Sequence, residues 1–96
     1  MLVVTEQAAT VIREILEESD AGPDAGLRIS GEVEGEETSL EFSVADGPED
    51  GDEVVHDNGA TVFLDEVAAE ALADQTLDAE AHGDHFHFSL REQAEG

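Results

Sequence analysis

Residues 77–90, Leu77-Asp78-Ala79-Glu80-Ala81-His82-Gly83-Asp84-His85-Phe86-His87-Phe88-Ser89-Leu90, decide the fold. Placing Gly83-Asp84 in a two-residue turn makes His82 face His85, Ala81 face Phe86, Glu80 face His87 and Ala79 face Phe88. Further out, Asp78 meets Ser89 and Leu77 meets Leu90. One face of the hairpin then carries Leu77, Ala79, Ala81, Phe86, Phe88 and Leu90. The other carries Asp78, Glu80, His82, His85, His87 and Ser89. A slip of one residue would scramble both faces, so this sorting fixes the register.

Working back toward the N-terminus, Asn58-Gly59 marks a second tight hairpin, because both central positions of a type I′ turn need positive φ. Its pairs are Asp57 with Ala60, Val55 with Val62 and Val54 with Phe63. Both faces carry apolar pairs, so this hairpin is expected at the centre of the structure. Leu40, Phe42 and Val44 alternate with polar residues, the period of a half-buried strand. Leu27 and Ile29 start another strand. Gly31 to Glu37 is polar and glycine-bearing and reads as a loop or exposed hairpin tip.

Two helices complete the pattern. Thr5 is a good N-cap, and Ala8, Val11, Ile12, Ile15 and Leu16 fall on one apolar stripe. That helix ends near Ser19, ahead of the breaker cluster Ala21-Gly22-Pro23-Asp24. Asp65 caps a shorter helix through Val67, Ala68, Ala71 and Leu72. Leu2-Val3-Val4 is a short starting strand, and residues 93–96 read as a frayed tail. No repeat or linker divides the chain, so residues 1–96 form one domain.

The segments "GLRIS" (26–30), "LEFSVADGPEDGDEVV" (40–55), "DNGATVFLD" (57–65), "LADQTLD" (72–78) and "HFHF" (85–88) follow one another in an order that resembles the HesB-like, or A-type, iron–sulfur cluster carrier domain. The resemblance covers almost the whole chain. It implies an α+β, β-rich fold: a small mixed or antiparallel β pseudobarrel or sandwich with an N-terminal helix and one short second helix. Family members hold their cluster through one cysteine in a "G-C-S-G" turn after the Leu-Arg strand and a Cys-Gly-Cys segment after the "F-x-F" strand. This chain has Gly31 to Thr38 and Ser89 to Gly96 at those places, and no cysteine at all. Thiolates are what hold such clusters. The expectation is therefore a degenerate member with no iron–sulfur cofactor, serving as an accessory or regulatory partner in iron–sulfur or metal homeostasis. The resemblance also implies oligomers, a homodimer being the simplest.

Charge narrows the partners. The chain holds 26 Asp and Glu against 3 Arg and no Lys, a net charge of 3 − 26 = −23. Such a surface repels nucleic-acid phosphates and anionic lipid headgroups, so neither direct nucleic-acid binding nor a membrane partner is expected. The acids are spread along the chain, as in a global adaptation to a salty cytoplasm. The sharper alternative is a basic protein partner, met as a mimic of nucleic-acid charge. The start of the chain lacks a basic leader region, and with no cysteine for disulfides a cytoplasmic location is expected.

Three constellations could carry chemistry. Directly opposed residues of an antiparallel pair have Cβ atoms roughly 4.5–5.5 Å apart. His82 and His85 could thus converge on one divalent transition metal, with Glu80 and His87 as the next pair, a donor set suited to zinc, nickel, copper or ferrous iron. The plainer account is a solvated strand face whose histidines gain charge complementarity from neighbouring acids. His56 shares a face with Val54, Thr61 and Phe63 and reads as a partly buried structural histidine. Asp46, Glu49, Asp50 and Asp52 gather in a glycine-bearing loop, but their spacing misses the EF-hand pattern and supports only weak cation attraction. With no cysteine nucleophile, nucleophile elbow or phosphate loop, the chain is not expected to be an enzyme.

Overall fold

A computed structural model describes residues 2–83 and 85–92. Its order of elements is β1 (Val3–Val4), α1 (Glu6–Glu18), β2 (Gly26–Glu34), β3 (Glu37–Ala45), β4 (Glu53–Asp57), β5 (Ala60–Leu64), α2 (Glu66–Ala71), β6 (Gln75–His82) and β7 (His85–Glu92). The strands form two sheets, β1-β6-β7 and β3-β2-β5-β4, that are not closed into a barrel. The expected α+β, β-rich class with one long and one short helix is what the structure has.

Every pair expected for the last hairpin is present, from His82 opposite His85 to Leu77 opposite Leu90. Asp84 itself lies outside the described residues, as do 93–96. Leu77 and Ala79 are buried, and Phe86, Phe88 and Leu90 pack against the same core. The Asn58-Gly59 hairpin has its expected register too, and Asn58 (φ 50°) and Gly59 (φ 81°) both lie in the left-handed region that the turn demands.

Both helices start where the sequence places them. The Thr5 hydroxyl accepts from the Ala8 N–H at 3.1 Å, and an Asp65 carboxylate oxygen accepts from Ala68 N–H at 2.8 Å. The first helix stops at Ser19 because Asp20 turns left-handed (φ 56°), sending the Asp20 and Ala21 N–H groups back to the Glu17 and Leu16 carbonyls. That is the usual helix-ending loop with aspartate at the position glycine most often fills. Ala8, Ala9, Val11 and Ile12 face the core, where they meet Ile29, Val62, Leu64 and Leu77. Burying each of the valine, leucine and isoleucine side chains among these contributes about 1.5–3 kcal/mol before entropy is subtracted, and each alanine less.

Three expectations need correction. Of the loop and the exposed hairpin tip expected for Gly31 to Glu37, the loop is wrong and the hairpin is found: β2 runs unbroken from Gly26 to Glu34, paired residue for residue with β3, and only Gly35-Glu36 turn. Gly35 (φ 62°) supplies the left-handed first position of that two-residue turn. The polar run hid a strand because β3 sets its register from outside, while its own residues 32–34 are exposed. Gly31 is intrinsic to the packing: a Cβ there would lie 2.5 Å from Val67 Cγ1 and 2.9 Å from the Ala68 nitrogen. Second, the β4–β5 hairpin is central only in part, since β5 is interior and β4 is a sheet edge. Third, His56 is exposed; it keeps a 3.1 Å Nδ1 contact with the Thr61 hydroxyl, but solvent reaches the ring.

Two pairings had no local signal. β1 lies parallel to β6, and β2 lies parallel to β5. Long-range contacts then join the sheets. Asp57 accepts from the Val4 N–H (3.0 Å) and Asn58 donates to the Val4 carbonyl (2.9 Å), so side chains of one hairpin turn occupy the open edge of β1. On the other flank, the Phe42 and Phe88 rings stack at 5.2 Å between edge strands of the two sheets.

Candidate functional site

The polar face of the β6–β7 hairpin is where the sequence places its donors, and the register brings them together in pairs. His82 lies opposite His85 and Glu80 opposite His87. All four side chains are exposed. His82 Nε2 sits 3.0 Å from Glu80 Oε2, two residues back on the same strand face. No group of three or more metal donors is drawn together among the described residues. The arrangement is an open pair of imidazole and carboxylate, with a second imidazole across the ladder. It can attract a cation; it does not enclose one.

Lower on the same face the chemistry becomes structural. Asp78 accepts from the Thr5 hydroxyl (2.8 Å) and from the Ala79 N–H (2.9 Å), and Arg91 approaches at 3.4 Å. These contacts hold the Asp78 carboxyl below its ordinary value of 3.8, the Thr5 hydrogen bond first, then the Ala79 N–H, against the opposing effect of burial. The same Thr5 oxygen caps α1. One aspartate therefore ties the histidine hairpin to the start of the first helix.

A second polar centre lies on the outer face of the other sheet, and sequence reading missed its role. Register places Arg28, Phe63 and Val54 side by side across β2, β5 and β4. The Arg28 guanidinium is held by Asp52 at 2.5 Å and Glu49 at 2.6 Å, and Nε donates to the Ser30 hydroxyl. Asp52 is 3% exposed, so this contact is shielded from water on one side. The acidic loop read as a weak cation site thus spends two of its carboxylates on an internal arginine. Beneath the loop, Phe63 is buried against Gly26, where an added Cβ would lie 2.7 Å from the Thr61 carbonyl oxygen.

No helix among the described residues is long and apolar enough to cross a membrane. A chain without cysteine, in which His82 and His85 are the one opposed histidine pair among the described residues and both are exposed, does not fit a thiolate-held cluster.

No protein-family model matches the chain, and no curated protein matches it in sequence. Solved structures do. The crystal structure of Escherichia coli SufA, involved in biosynthesis of iron–sulfur clusters, superposes with a TM-score of 0.71 over 95% of this chain and 84% of that one, at 22% identity. The crystal structure of IscA with the [2Fe-2S] cluster superposes with a TM-score of 0.75 over 96% and 85%, again at 22% identity. The fold expected from the resemblance is therefore the fold found.

Proposed function

We propose that this chain is a cysteine-free relative of the iron–sulfur cluster carriers, serving iron–sulfur or metal homeostasis through protein contact rather than by ligating the cluster. One observation carries the reading: the fold of a protein involved in iron–sulfur biosynthesis spans 95% of a chain that has no cysteine. The role is accessory or regulatory and non-catalytic, set in the cytoplasm, with an iron–sulfur assembly component as partner and a homodimer as the simplest assembly. Its surface charge of −23 favours a basic partner face.

Anaerobic incubation with ferrous iron and sulfide, followed by absorption spectroscopy after desalting, tests the ligand half. No protein-bound cluster chromophore is expected, and a stable one overturns it. Affinity purification from the native cell at low salt tests the partner half. An iron–sulfur assembly protein should be retained; recovery of no such protein refutes that role.

A second reading is favoured by the 3.0 Å His82–Glu80 contact beside His85. On it, Glu80, His82, His85 and His87 bind a divalent transition metal at the hairpin end. Zinc or nickel should then bind at micromolar affinity or tighter and be lost in the His82→Ala/His85→Ala double variant. Weaker binding, or binding that survives the double change, ends that reading.

A further inference from the structure

Strand β4 ends its sheet, and the direction of its backbone groups follows from two facts. Asp65 N–H donates to the Ile29 carbonyl at 3.3 Å, so odd-numbered residues at the end of β5 turn their main chain toward β2. Even-numbered β5 residues therefore bond β4, and their partners are Glu53, Val55 and Asp57. The N–H and C=O groups of Val54 and His56 consequently point away from the sheet. Sheet edges are commonly blunted by lysine, proline or a bulge. Glu53-Val54-Val55-His56-Asp57 has none of these and pairs continuously with β5.

The side chains of Val54 and His56 face a groove of about 480 Å³ beside this edge, flanked by Pro23 and Pro48 with Asp24 and Asp46 among its lining residues. Val54 is 37% exposed there. Among the described residues neither Asp24 nor Asp46 has an ion-pair partner, and nearby Arg28 is already held by Asp52 and Glu49. The groove thus combines an apolar strip, unneutralised acids and an unpaired edge.

We propose that the outer edge of β4 accepts an extended basic segment of a partner protein as an added strand. Backbone bonds to Val54 and His56 hold the segment, as in other cases of strand addition. Alternate lysine or arginine side chains lie on the groove face, their stems over Val54 and their charges toward Asp24 and Asp46. The inference stands apart from the iron–sulfur reading, since the edge and the groove exist whichever pathway the partner serves.

The test uses a fluorescein-labelled octapeptide of alternating lysine and threonine, with fluorescence polarisation read at about 0.15 M salt, where long-range charge attraction is screened. Saturable binding is expected, weakened roughly tenfold or more when alternate peptide nitrogens are methylated, because charge is kept while backbone bonds are lost. Val54→Pro should weaken binding similarly, since the Val54 N–H serves no bond to β5. In the wild-type protein the peptide should slow amide exchange at Val54 and His56. Equal affinity for the methylated peptide, or exchange protection confined to β3 or β7, overturns the proposal, and neither readout depends on the proline variant folding.

Discussion

The two long hairpins, β6–β7 and β2–β3, have nearly equal strands, yet their sequences and their environments work in opposite ways. In β6–β7 residues sort by polarity along both strands: Leu77, Ala79, Phe86, Phe88 and Leu90 pack on the core, while Glu80, His82, His85 and His87 on the other face are exposed. In β2–β3 the first half of β2 is buried between β3 and β5, while its second half runs on beyond the end of β5 with exposed residues on both faces. Between the halves sits Gly31. Its N–H donates to both Asp65 carboxylate oxygens at 3.1 Å, in place of the neighbouring strand that has ended. A strand whose two faces have fixed roles announces itself; a strand that changes surroundings midway does not.

The sharpest way to break this contrast is Leu77→Ala. Leu77 is fully buried at the heart of the sorted hairpin, and its truncation is expected to cost about 2–5 kcal/mol in denaturant unfolding. A loss under about 1 kcal/mol would mean that the apolar face of β6–β7 is not what anchors it. The matching change in the other hairpin is Gly31→Ala, which forces a methyl against the Ala68 backbone as well as Val67. An expected cost of about 1–3 kcal/mol reflects overpacking, and a stabilised protein would show that α2 can withdraw freely.

Smaller effects separate the two ends of the polar hairpin face. Asp78 is held below 3.8, so its contribution to stability is fully present above that pH and is lost as the pH falls through the lowered value. The Asp78→Asn variant should therefore be less stable than the parent near neutrality, with the gap closing in acid. A gap that persists unchanged to the lowest pH would assign the effect to lost shape rather than charge. The smallest change is expected for His82→Ala, within about 0.5 kcal/mol, because both His82 and its Glu80 partner are mostly exposed. A larger loss in metal-free buffer would contradict the open, solvated geometry of that face.

Much of the candidate site is legible in the sequence. The pairing of His82 with His85 and of Glu80 with His87 needs only a turn and the alternation of a strand. The Arg28 centre was not legible, because Asp52 and Glu49 reach it through a loop whose path local rules do not define. His56 was placed on the right face but at the wrong depth: strand alternation gives the direction of a side chain, whereas its burial depends on what the rest of the chain lays over it.

By itself the sequence determined the two helix starts, the two tight hairpins with their registers, the acidic surface and the absence of thiolate ligands. Each follows from interactions among residues a few positions apart, or from composition alone. Tertiary structure alone decided the parallel pairings of β1 with β6 and β2 with β5, the grip of Asp57 and Asn58 on β1, the Phe42–Phe88 stack and the edge position of β4. Those contacts join residues far apart in the chain, and their formation rests on burying one shared core against the entropy of closing long loops. No local pattern encodes that balance.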